Sequence, residues 1–138
     1  MNRPVSLLDT DTLSEVMKGK HATVARKATA YLTQHGTFTF SLITRYEILR
    51  GLKAKNAMVQ LAAFEARCQS SIVLPITDEI IVRAADFYAD LKQRGQLISD
   101  ADLIIAATAD VHGLVLVTSN RAHYRRITGL ALDCWTIP

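Results

Sequence analysis

The chain has 138 residues and a formal net charge of +3, with 49% hydrophobic and 21% charged residues. A chain of this length can bury roughly 68–70% of its unfolded surface, so it can build a core without disulfide or metal staples. That composition excludes wholesale disorder, a collagen-like rod and a disulfide scaffold. In chain order, Val5–Leu8 reads as a short buried strand and Thr12–Lys18 as a short helix closed near Gly19. His21–Gln34 predicts a helix with Val24, Ala28, Tyr31 and Leu32 on one face. Thr37–Ser41 alternates and is rich in β-formers, which predicts a second strand. Leu42–Lys53 follows as a helix with Ile43, Tyr46, Leu49 and Leu52 in phase. Met58–Gln69 is another helix, with Met58, Leu61, Ala62 and Phe64 turned inward. Ile72–Leu74 is a third strand. Thr77 caps a helix carrying Ile80, Ala84, Phe87 and Leu91 on one face. Ser99 caps the next, whose Leu103–Ala109 stretch is apolar nearly all round and therefore buried. Leu114–Val117 has the uniform apolarity of a central parallel strand, and Leu130–Cys134 is a weak last strand.

Strands alternating with helices predict an α/β fold over residues 1–138: one domain with a mainly parallel sheet of four to five strands covered by helices on both faces. Cys68 and Cys134 have no metal-ligand spacing and read as buried thiols of a cytoplasmic protein. The N-terminus shows no secretory signal, and the longest uncharged stretch, Ala28–Thr44, is too short and too polar to span a membrane.

In such folds ligands bind beyond the carboxyl ends of the strands. Asp9, Thr10 and Asp11 follow the first strand, and Glu47 lies six residues after the second. Asp100 and Asp102 open the buried helix, while Thr118, Ser119 and Asn120 end the strand after it. Each has an ordinary structural reading. Asp9 and its neighbours can form a turn, Thr44 and Glu47 a capping box, Ser99 and the two aspartates a helix start, and Thr118–Asn120 a turn. Carboxylates crowded at one edge repel, however, and each is pushed toward its neutral form. A hard divalent cation relieves that repulsion, so together these residues point to a Mg²⁺ or Mn²⁺ site. Arg45, Arg50, Arg121, Arg125 and Arg126 lie close enough in sequence to grip a phosphate backbone.

The segments Leu7–Asp11 (LLDTD), Ile43–Gly51 (ITRYEILRG), Asp100–Ala109 (DADLIIAATA) and Leu116–Asn120 (LVTSN) resemble the PIN domain. More narrowly, they resemble the VapC-like toxin ribonucleases of bacterial toxin–antitoxin pairs. The resemblance covers nearly the whole chain, and the run from Asp102 to Ala109 is its most specific part. It implies a metal-dependent endoribonuclease with Asp9, Glu47 and Asp102 as the acidic positions and Asn120 at the fourth. It further implies metal held by Asp9 and Asp102, with support from Asp100 and Thr118. Arg45, Arg50 and Arg121 would contact RNA, and the implied partners are a small antitoxin and a second copy of the chain, with no membrane. A dimer face is expected at Tyr31/Leu32 or around Met58/Leu61. Two departures stand out: Asn rather than an acid at 120, and His123–Tyr124 where the family commonly has an acid and then Phe. Two other functions fit some of the residues. One is a PIN-like module that binds RNA or a partner without cutting. The other is a haloacid-dehalogenase-type phosphatase built on Asp9-Thr-Asp11-Thr12, which has its later motifs in the wrong order.

Overall fold

The computed structural model describes residues 5–138; Pro4 and the residues before it, part of the segment read for a secretory signal, lie outside them. The elements are β1 (Ser6–Leu8), α1 (Thr10–Lys18), α2 (Ala22–His35), β2 (Thr39–Ser41), α3 (Leu42–Ala54), α4 (Met58–Gln69), β3 (Ile72–Leu74), α5 (Asp78–Gln93), α6 (Asp100–His112), β4 (Val115–Val117), α7 (Arg121–Tyr124) and β5 (Leu132–Asp133). All five strands are parallel, in the order β3-β2-β1-β4-β5. The chain winds outward from β1 to β2 and β3, then returns to the other side of β1 for β4 and β5. The switch point of the topology therefore falls between β1 and β4, where a crevice opens beyond the strand ends.

Alternating side chains of these strands feed two separate cores. Leu7 and Leu116 pack with Ile80, Ala84 and Leu91 of α5 and with the buried face of α6. Leu8, Phe40 and Val117 face the other way, onto Leu13, Val24, Ala28, Tyr31, Phe64 and Trp135. This side is aromatic, with Tyr31, Phe38 and Trp135 rings 5.6–6.4 Å apart. α6 is buried at six successive or near-successive positions from Leu103 to Ala109, as its all-round apolarity requires. Both cysteines are free thiols, Cys134 buried and Cys68 half-buried. Among the described residues no helix is long and apolar enough to cross a membrane.

Several expectations need correction. α1 begins at Thr10 rather than Thr12, because Asp9 itself is the cap, accepting the Thr12 N–H at 2.8 Å. α3 is capped by Ser41, and Thr44 is buried inside it, so Thr44 and Glu47 form no capping box. Tyr46 is exposed rather than in phase with Leu49 and Leu52. α4 was expected to bury four residues and buries only Phe64. It leans on α3 by one residue row, and Met58 and Val59 are 67% and 82% exposed. Tyr31 cannot serve a dimer face, since it is buried in the aromatic core with its hydroxyl accepting the Ser6 N–H at 3.1 Å. The short α7 was not anticipated, and the last strand is only Leu132–Asp133.

The single anchor of α4 sets a contrast that urea unfolding can measure. Phe64→Ala should lose about 3–5 kcal/mol of stability, whereas Met58→Gln should change it by no more than about 0.5 kcal/mol.

Candidate active site

Parallel pairing decides which side chains meet. Leu8 lies opposite both Phe40 and Val117, so β1 and β4 end level and β2 runs one residue further. The Asp9 N–H extends the ladder to Val117 O at 3.0 Å, and the Thr118 N–H to Asp133 O at 2.9 Å. Asp9 and Thr118 thus stand side by side at the switch point. Asp9 is only 3% exposed. Burial is the largest influence on its carboxyl and pushes the pKa above the ordinary value. Hydrogen bonds from the Thr118 side chain and from Thr12 pull the other way, and the Asp11 charge adds to the rise. Thr118 also accepts the Asn120 N–H at 2.9 Å, which leaves its hydroxyl hydrogen for Asp9.

Glu47 reaches the same place from α3. The Thr10 hydroxyl, one residue past Asp9, donates to Glu47 Oε1 at 2.6 Å. Thr44 Oγ1 lies 3.0 Å from the Thr10 oxygen, and with Thr10's one hydrogen on Glu47, Thr44 is the donor of that pair. Arg50 stands 3.6 Å from the other Glu47 oxygen and lies over the Tyr46 ring.

Asp102 comes from the first turn of α6, where Ser99 caps its backbone N–H. Its carboxylate is held from α7: the Tyr124 hydroxyl donates to Asp102 Oδ1 at 3.0 Å. Tyr124 is 1% exposed. Burial is the main cause of its raised phenol pKa, and the charges of Asp102, Asp9 and Glu47 all add to it. The phenol therefore stays protonated and remains a donor.

Other expected residues are placed less uniformly. Asn120 precedes α7 and its Nδ2 lies 2.7 Å from His123 Nδ1. Asp100 is exposed on the first turn of α6, turned away from the half-buried Asp102 by two helical steps, about 200°. Arg45 is likewise two steps from Glu47 and is engaged elsewhere, in an ion pair with Glu65 of α4 and a hydrogen bond to Cys68. Arg126 is tied to the carbonyls of Gln96 and Leu97. Arg121 makes no ion pair among the described residues. Thr10, Thr44 and the Tyr124 hydroxyl were missed as site groups. Thr10 was the most findable, being the residue directly after a strand-end acid.

Glu47 and Thr10 also form one lip of a groove of about 510 Å³ between α1, α3 and α4. Met17, Ile48, Leu52 and Phe64 line its apolar part, and Lys18, Lys20 and Lys55 lie around it.

Carboxylates and a carboxamide are oxygen donors of the kind hard divalent cations prefer. Mg²⁺ in particular commonly takes one or two protein carboxylates and completes its shell with water. Among the described residues no three His, Cys, Asp or Glu side chains are gathered tightly enough to hold an ion directly.

Comparison with known proteins shows the family and the fold. The model of the PIN domain family matches residues 6–129. Ribonuclease VapC1 of Methanocaldococcus jannaschii is 32% identical over 129 residues, covering 94% of this chain and 85% of its own. The structure of VapBC-1 from nontypeable Haemophilus influenzae superposes with a TM-score of 0.83 at 28% identity, over 96% of this chain and 98% of that one. The DNA-bound VapBC of Salmonella typhimurium gives a TM-score of 0.84 at 25% identity, over 96% and 99% of the two chains.

The burial of Asp9 predicts its effect on stability. With the folded pKa raised, the native state keeps a proton that the unfolded chain has already lost. Stability therefore falls as pH rises from about 4 through the folded pKa, and above that window the ionised carboxylate is a constant penalty. Asp9→Asn keeps a capping oxygen for Thr12 and removes the charge. In metal-free buffer at pH 7 it should melt at or above the wild-type temperature, and the fall in Tm across that acid window should flatten. A melting temperature well below wild type would mean that the charge stabilises the fold.

Proposed function

The chain belongs to the PIN domain family, and we propose that it is an endoribonuclease of the VapC kind, the toxin of a toxin–antitoxin pair. What supports this reading is that the charges of Asp9, Glu47 and Asp102, from three separate elements, all act on the buried Tyr124 phenol, which donates a hydrogen bond to Asp102. Asp9 also caps α1, but a neutral Ser or Asn would cap that helix without burying a carboxyl, so the cap alone does not account for an acid there. The similarity to proteins named as VapC ribonucleases supplies the reaction class.

Asp9 and Asp102 are the residues we assign to hold Mg²⁺ or Mn²⁺. Such an ion, when bound, polarises a phosphate oxygen and favours an attacking water in line with the leaving group. Glu47, steadied by Thr10, is the carboxylate placed to orient that water and accept its proton. Asn120 lies at the fourth position, where its carboxamide is neutral and adds no repulsion. Arg50 and Arg121 are assigned to the RNA backbone as charge partners; Arg45, held by Glu65, would contribute only after leaving that pair.

The assay is cleavage of a structured RNA with Mg²⁺ or Mn²⁺, and again with excess EDTA. Cleavage is expected only with the metal; protection of the RNA without cutting would favour a binding module. Asp102→Asn should abolish cleavage, by more than the roughly 10–100-fold that loss of a supporting residue costs. Asp100→Asn should keep most activity and lose only about 0.3–1 kcal/mol of stability through the helix dipole.

A small antitoxin is the partner proposed for this chain, as the pairing of the similar VapBC structures suggests. One Arg or Lys from it could sit among the three carboxylates in place of a cation. Pairing of two copies is proposed as well, through the α4 face around Met58 and Leu61, where Met58 is exposed. We propose that the protein acts in the cytoplasm. Light scattering at high micromolar concentration should give twice the chain mass; a monomer would remove the dimer and leave the chemistry intact.

A further inference from the structure

We infer that the Tyr124 hydroxyl is a positioning group for Asp102: it fixes the rotation of that carboxylate and leaves Oδ2 as the oxygen on offer to a cation. This rests on the metal-dependent reading above.

A carboxylate's last torsion is broad and roughly two-fold, so packing of the Asp102 backbone alone does not choose the plane of its oxygens. Ser99 holds the Asp102 N–H, not its side chain. Among the described residues, the one hydrogen bond to the Asp102 carboxylate comes from Tyr124. That donor is itself rigid. Its ring is buried in the same apolar cluster as Leu103, Ile105 and Ile127. Its backbone sits on α7, a short helix directly after the Asn120 position. A buried phenol needs one polar partner, and here the partner is an acid 22 residues earlier in the chain, on a different helix. Glu47 is held in the same manner by Thr10, from a different helix than its own. The hydroxyl therefore couples α7 to α6, and Asn120 keeps a fixed relation to Asp102.

A purely structural hydroxyl would affect stability alone, and metal affinity separates the two roles. Tyr124→Phe retains the ring and removes only the oxygen. Mn²⁺ binding to the RNA-free protein is measured by calorimetry or by the resonance signal of free Mn²⁺, alongside Tm in metal-free buffer. Affinity should fall about 10–100-fold, the range for loss of a group that orients a metal ligand. kcat for RNA cleavage should fall while KM changes little. In the Asp102→Asn background the same change should cost no further affinity. Ile127→Val, which trims the same cluster, should lower Tm and leave Mn²⁺ affinity unchanged. A Tyr124→Phe protein with wild-type affinity and only a lowered Tm would overturn the inference and leave the ribonuclease reading standing. A wild-type protein that binds no Mn²⁺ would overturn both.

Discussion

The arrangement depends on keeping a carboxylate ionised where water scarcely reaches. Asp9 is nearly buried at the end of the central strand, and the Glu47 and Asp102 charges lie close enough to act on the same phenol. Burial favours the protonated form of Asp9, and hydrogen bonds from Thr118 and Thr12 oppose it. The fold supplies the donors almost entirely as hydroxyls from other elements: Thr118 of the loop after β4 to Asp9, Thr10 of α1 to Glu47, Tyr124 of α7 to Asp102. A hydroxyl steadies a carboxylate without neutralising it; of the three acids, Glu47 alone also has a cationic partner among the described residues, Arg50 at 3.6 Å. The negative field at the strand ends is thereby preserved, which is what a cation site requires.

The two-core construction makes this possible. Leu7 and Leu8 anchor β1 to opposite layers, and Leu116 and Val117 do the same for β4. With both faces of both strands filled by aliphatic and aromatic side chains, the adjacent strand ends have little freedom. Asp9 and Thr118 inherit their relation from backbone ladder bonds rather than from contacts of their own. Asp102 reaches the edge because α6 is buried and its first turn abuts the sheet edge, while exposed Asp100 on the same turn serves the helix dipole.

Much of this was legible in the sequence for definite reasons. Apolar runs of strand length, caps at Thr77 and Ser99, and the all-round apolarity of Leu103–Ala109 are local signals, and a parallel α/β sheet follows from their alternation. What was not legible depends on which residues meet across the fold. Thr44 next to Glu47 reads as a capping box, and only the packing of α3 against α1 turns it toward Thr10. Met58, Leu61 and Ala62 have helical spacing, but spacing does not say whether a second layer exists to cover them. α7 is four residues long and has no side-chain cap, so nothing local announces it. Its main product, the bond from Tyr124 to Asp102, spans 22 residues and could not be read from either end.

The neutral residue at position 120 follows from the same constraint. Asn120 donates its backbone N–H to Thr118, the residue whose hydroxyl reaches Asp9. An acid there would place a fourth negative charge one residue pair away from a carboxylate that burial already drives toward protonation. It would also face His123 rather than a free position, since the Asn120 carboxamide lies 2.7 Å from that ring. The Asn120 carboxamide makes that contact without adding a charge of its own. The chain therefore has a neutral residue at position 120, close to a buried strand-end acid, Asp9, that burial already drives toward protonation.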